Sequence, residues 1–175
     1  MKRTLIQKID WTVGVTLHGV MLATLAALLV LVALVVVTRV FSLPSAGWTD
    51  ELIEFLFAWL IFAGAASLWR ERGHFAVTLI ADTVKSERIK AATALLSELL
   101  CIVFIAVFTY QSWILIATAG NEASPVFSLP RTYWYICMPI AGVIMLAYSF
   151  TWLFQRLTGR SVAATPATDL PKYEV

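Results

Sequence analysis

Four separate stretches of this chain are apolar for about 20 residues each, the length a helix needs to cross a hydrocarbon layer of about 30 Å. They run over 13–38, 51–69, 92–119 and 133–154. The first contains the block Leu28 to Val37, rich in valine, which in water would favour a strand. In lipid a segment must satisfy its backbone groups internally, and an isolated strand cannot do so, so the block is helical. Composition agrees: 60% of the 175 residues are hydrophobic and 14% charged, against about half and about a quarter in a soluble domain. The expected fold is all-α, with four transmembrane helices in one domain over 1–160. An Ala-, Thr- and Pro-rich tail over 161–175 is expected to be disordered. Met1-Lys2-Arg3 followed by apolar residues imitates a signal peptide. The apolar stretch from Val13 to Val37 exceeds the roughly 7–15 residues of such a segment, which predicts an uncleaved first helix.

Lysine and arginine set the expected orientation. The N-terminal flank carries three (Lys2, Arg3, Lys8) and the first loop one (Arg39). The second loop carries five (Arg70, Arg72, Lys85, Arg88, Lys90), the third one (Arg131) and the tail three (Arg156, Arg160, Lys172). All thirteen basic residues obey this alternation, so positive-inside bias predicts both ends and the second loop in the cytoplasm. Within the second loop, Ala76, Leu79, Ile80, Thr83 and Val84 recur at the spacing of one helix face. Segment 73–90 is too short and polar to span. It fits an amphipathic helix on the cytoplasmic surface, or a turn of helix packed under the bundle. Trp11, Trp48, Trp69, Trp134 and Trp152 fall near predicted helix ends, where the headgroup region favours them. Pro139 predicts a kink in the fourth helix.

Ionisable groups inside such helices are costly and are candidates for function. Glu51 and Glu54 open the second helix, where its dipole favours acids, with Asp50 or Thr49 as cap. Arg39 is a plausible partner for either glutamate, and solvated interfacial acids are the other reading. Glu98 lies about two turns into the third helix, within reach of Arg70, Arg72 or His18. It is expected to tie helices together; a proton relay would need further acids, and only Gln111 and hydroxyls lie between it and Glu122.

What is missing narrows the function. The net charge of +2 is too small and scattered for nucleic acid. The predicted first helix, starting at 13, holds no acid of the kind a small multidrug antiporter uses. His18 and His74 do not make a paired haem site, and Cys101 and Cys137 form no CxxC and are expected to be small buried hydrophobes. No nucleophile–base pair or metal set suggests an enzyme, and no cofactor is expected. No inverted repeat with broken half-helices marks a midplane site. A helper or scaffold subunit fits best; a free-standing small homo-oligomeric transporter or channel is the alternative.

The second helix and its loop read Glu51-Leu-Ile-Glu54, Trp59, Phe62-Ala-Gly64-Ala65-Ala66, Arg70, Gly73-His74 and Val77. Further on come Ser124-Pro125-Val126-Phe127-Ser128-Leu129-Pro130, Trp134 and Met138-Pro139. This succession resembles the small membrane subunit, the DctQ type, of tripartite ATP-independent periplasmic (TRAP) transporters, and the likeness covers roughly 10–155. It departs after Val77, where the family often has an acid; here Thr78 follows and the acid waits until Asp82.

The resemblance implies a subunit of a sodium-coupled secondary transporter in a bacterial inner membrane. A periplasmic binding protein would capture an organic anion of the carboxylate type. A large multi-spanning subunit would carry it, and this chain would enlarge that subunit's fixed scaffold in the lipid bilayer. Gly64-Ala65-Ala66 then offers a small surface for close helix approach, either to the large subunit or within this bundle. Arg70, Arg72 and His74 would hold the cytoplasmic end at the headgroups or pair with acids of the large subunit.

Overall fold

The computed structural model describes residues 5–42, 47–71 and 87–158. Among the described residues the regular elements are all helices: α1 (Leu5–Val40), α2 (Trp48–Arg70), α3 (Glu87–Ala119), a short α4 (Thr132–Tyr135) and α5 (Cys137–Leu157). Four segments are long and apolar enough to cross a membrane: Lys8–Val40, Trp48–Arg70, Ala92–Ala119 and Thr132–Leu157. The expected four-helix, all-α architecture is therefore found. The amphipathic face over 76–84, Arg72, His74 and the tail over 161–175 lie outside the described residues.

The helix limits differ from those expected, each for a physical reason. α1 begins at Leu5 instead of near Val13, because hydropathy ends at Asp10 while hydrogen bonding does not. The first helix thus does contain an acid, contrary to the sequence reading. α3 likewise starts at Glu87, five residues before its apolar stretch. α2 begins at Trp48 with Gly47 as N-cap and no side-chain cap, so neither Asp50 nor Thr49 caps it. The fourth span is divided at Ile136, which keeps helical dihedrals (φ −63°, ψ −23°). Pro139 has no N–H for the carbonyl of Tyr135 four residues earlier, and the ladder is interrupted there.

Neighbouring helices follow the order α1, α2, α5, α3, with α4 wedged against α2, α3 and α5. Leu17, Ala63, Ala66 and Ala141 form the core where α1, α2 and α5 converge, and Ala66 is fully buried. Lipid tails are as apolar as leucine, so close packing between small residues replaces the hydrophobic effect as the cohesive term. Gly64 belongs to this contact: a β-carbon there would lie 3.7 Å from Met21 Sδ of α1. At the α5–α3 contact Gly142 is closer still, since a β-carbon would run into the Thr109 hydroxyl and stand 3.1 Å from its Cβ. Hydroxyls inside the spans turn back on their own helices, as Thr109 does to Ile105 O (2.7 Å) and Ser112 to Phe108 O (2.7 Å). An apolar groove of about 240 Å³ remains between α1, α2 and α5, walled by Val13, Leu17, Phe62, Ala141 and Ile144 among others.

Outward faces are strongly apolar: Leu29, Val30, Phe104 and Phe154 are each at least 65% exposed. Cys137 is buried as expected, whereas Cys101 is exposed on α3. Replacing Gly142 with leucine is expected to destabilise the chain by about 1–3 kcal/mol through overpacking. Gly19, where an added β-carbon would meet nothing within 4 Å, should accept alanine with no loss. Thermal unfolding of both variants in detergent measures the contrast.

Candidate functional site

Polar side chains gather at the two ends of the bundle, and the first group has a simple origin in helical spacing. Asp10, Gly14 and His18 recur every four residues along one face of α1, while Ser67, Arg70 and Glu71 share a face of α2. α1 packs on α2, which brings these two stripes together. Arg70 donates to Asp10 through two parallel bonds, Nε to Oδ1 and Nη2 to Oδ2, each 2.8 Å. Tyr148 of α5 donates its hydroxyl to Asp10 Oδ1 at 2.7 Å. One carboxylate thereby joins α1, α2 and α5. The guanidinium lies over Gly14, where a β-carbon would come within 2.7 Å of Arg70 Nη1.

The same end holds two further ties. His18 Nδ1 lies 3.0 Å from Gly14 O and 3.4 Å from Ser67 Oγ, and its Nε2 lies 3.5 Å from Glu71 Oε1. Trp69 donates its indole N–H to Ser149 at 2.9 Å and stacks on Trp152. On the far side of α5, Arg156 reaches Glu98 of α3 at 3.3 Å, with the glutamate side chain only 15% exposed. Glu98 does tie helices together, but through Arg156; Arg70 goes to Asp10 and His18 to Glu71, so neither is its partner.

At the opposite end Glu51 reaches across from α2 to the loop between α3 and α4. Its carboxylate accepts the Ser124 hydroxyl, the amide of Val126 (2.9 Å) and the amide of Phe127 (3.3 Å). Its backbone carbonyl accepts the indole N–H of Trp134 at 3.3 Å. Trp134 is therefore a buried packing residue against Phe55, not an interfacial anchor. Trp59 donates to Tyr133 O at 3.3 Å, again joining α2 to α4. Glu54 pairs with Arg131 at 3.9 Å. The expected role of Arg39 passes to Arg131 and to loop amides, because α2 packs against α4 and the loop before it. Arg131 is held above the ordinary guanidinium range, first by its hydrogen bond to Tyr135, so it stays a fixed positive charge beside Glu54. Pro130, exposed, closes this loop through its bridge to Ala123, and Pro139 is buried at the start of α5.

The arrangement holds helices; among the described residues no three His, Cys, Asp or Glu side chains are placed to share a metal ion. Sequence reasoning missed Asp10, Glu71 and Tyr148, and it placed Ser124 in the stretch 124–130 without its partner Glu51. The spacing 10, 14, 18 opposite 67, 70, 71 was the available signal, whereas nothing in the sequence pairs Ser124 with Glu51. Removing Arg70 as Arg70→Ala should cost about 1–2 kcal/mol, a charged hydrogen bond discounted for the partly exposed Asp10. Asp10→Asn and Arg70→Ala should be clearly non-additive in a double-mutant cycle read by thermal melting, and Gly14→Leu should imitate Arg70→Ala by displacing the guanidinium.

Comparison with known proteins bears on what such a bundle is for. The family model described as "Tripartite ATP-independent periplasmic transporters, DctQ component" matches residues 27–159. A protein of Haemophilus influenzae, provisionally described as a TRAP transporter small permease protein, is 26% identical over 136 residues, covering 78% of this chain and 84% of that one. The matched segment takes in the C-terminal part of α1, both polar ends of α2 and the whole of α3 to α5, so this multi-pass membrane chain belongs to the DctQ component family of TRAP transporters.

Proposed function

We propose that this chain is the small, non-catalytic scaffold subunit of a sodium-coupled TRAP transporter that imports a carboxylate-type organic anion. In this reading it lies in a bacterial inner membrane with both ends cytoplasmic. It packs against a large multi-spanning subunit, which works with a periplasmic substrate-binding protein. The observation that carries the reading is how five of the described acids in and beside the spans are used. Asp10, Glu51, Glu54, Glu71 and Glu98 each engage partners of the same chain near the ends of the bundle. A site that moves an anion and sodium needs polar groups turned toward the solute; the groove between α1, α2 and α5 has apolar walls instead. The alternating count of basic residues supports the orientation. The exposed apolar faces of α1 and α3 leave ample surface for a membrane partner.

Family-motif residues then act as structural elements. Gly64, Ala65 and Ala66 allow α1 to approach, Arg70 clamps α1, and Glu51, Glu54 and Trp59 secure the α3–α4 connection. Co-expression with a large TRAP subunit should give a stable complex on purification. Proteoliposomes holding both subunits and the binding protein should transport, and omission of this chain should abolish uptake. Full-rate transport by the large subunit without it would defeat the scaffold role, and solute flux through this chain alone would favour an independent small transporter. Glu98→Gln should retain most uptake per assembled complex, because an anchor needs no titrating proton; complete loss of uptake with assembly intact would make Glu98 a relay.

A further inference from the structure

The loop between α3 and α4 has an apolar tip on polar feet, the reverse of a loop that projects into water. Asn121, Glu122 and Arg131 stand at its base, while Val126, Phe127 and Leu129 at its tip are 48%, 40% and 47% exposed. The tip is tightly specified. Ser124 N–H donates to Leu129 O (2.9 Å), Ser128 N–H to Ser124 O (3.0 Å) and Arg131 N–H to Glu122 O (3.0 Å). Ser128 adopts φ 53°, a left-handed conformation uncommon for a residue with a β-carbon. Within this turn the successive amides of Val126 and Phe127 point at one spot, the form of an anion-binding nest, the Phe127 amide being shared with Ser124 Oγ (3.2 Å). Glu51 fills it.

Glu51 sits in the first turn of α2, so the tip is drawn back to the level at which a spanning helix starts. Val126 confirms the height, since its Cγ2 would be 3.8 Å from a β-carbon on Gly47. At the same end, Trp48 is 38%, Phe41 69% and Tyr133 56% exposed. Aromatic side chains at this level are characteristic of the headgroup region.

We propose that the α3–α4 loop is an interfacial anchor whose apolar tip, preformed by Glu51 in its amide nest, inserts into the headgroup–acyl boundary of the bilayer. The occupant of this surface is lipid, and the proposal does not depend on the transport role. It explains why an acid is placed to hold a loop instead of capping its own helix: insertion of a few apolar side chains is favourable only if the loop backbone keeps its bonds satisfied.

Site-directed spin labelling of the full chain in phosphatidylethanolamine–phosphatidylglycerol liposomes tests this. Cys101→Ala removes the exposed thiol, and buried Cys137 is retained. A nitroxide on Phe127→Cys should collide severalfold more with oxygen than with a water-soluble nickel chelate, and one on Asn121→Cys should show the opposite preference. Equal chelate access at 121 and 127 would place the tip in water, as for docking a soluble protein, and would overturn the proposal. Protection of 127 from both reagents would mean a protein cover and would overturn it as well. In a Glu51→Ala background the label at 127 should become more mobile and lose its oxygen preference, with Glu51→Gln intermediate. An unchanged spectrum in both would remove Glu51 from the account.

Discussion

The two parallel bonds from Arg70 to Asp10 hold the first helix in this fold. α1 is 36 residues long yet its main neighbour is α2, and the hydrophobic stretch of its C-terminal half faces outward. In water such a helix would be driven inward by its apolar surface; in lipid that force is absent. A fork-to-carboxylate bond is directional and keeps register along the helix as well as distance. Tyr148 makes the same carboxylate answer to α5. Gly14 completes the device, because the guanidinium can lie flat across α1 only where no side chain intervenes.

The other contacts repeat this logic at lower strength. α5 is joined to α2 by Trp69 and Ser149 and to α3 by Arg156 and Glu98; α4 and its loop are joined to α2 by Trp59, Glu51 and Glu54. Between these polar ends the bundle relies on alanine and glycine at helix contacts. Such ties near the interface avoid the cost of a charge at the bilayer centre while fixing α2 at both ends. That combination stiffens the bundle from its ends, with no charged pair at its middle among the described residues, which suits the scaffold role proposed for this chain.

How much of this was legible in the sequence depends on the range of each interaction. The four spans were legible because hydropathy is a local sum over about 20 residues. The starts of α1 and α3 were not, because polar residues continue a helix without adding to that sum. Glu98 was legible as a tie, since a lone acid in a span demands a partner. Its partner was not, because choosing Arg156 over Arg70 requires knowing that α5 lies between α2 and α3. The stripe of Asp10, Gly14 and His18 was readable at four-residue spacing; treating the helix as starting at Val13 concealed it. Trp134 shows the opposite error, in which proximity to a helix end suggested the interface, and the wedged position of α4 buries it instead.

Glu51 shows why local rules misassign such residues. An acid in the first turn of a helix satisfies the dipole argument completely, and nothing in the sequence asks for more. Yet a dipole interaction is weak and leaves the carboxylate free to choose a better set of donors. The α3–α4 loop offers three, a hydroxyl and two amides, which converge on the carboxylate. The carboxylate therefore goes to the loop, and the helix it opens is capped by nothing but Gly47. Both elements gain: the loop obtains the anion its amides need, and α2 obtains a fixed connection to α4 at the end away from Arg70. The two ends of α2 are thus secured by opposite charges, Glu51 at one and Arg70 at the other, which makes this central helix the member against which the others are placed.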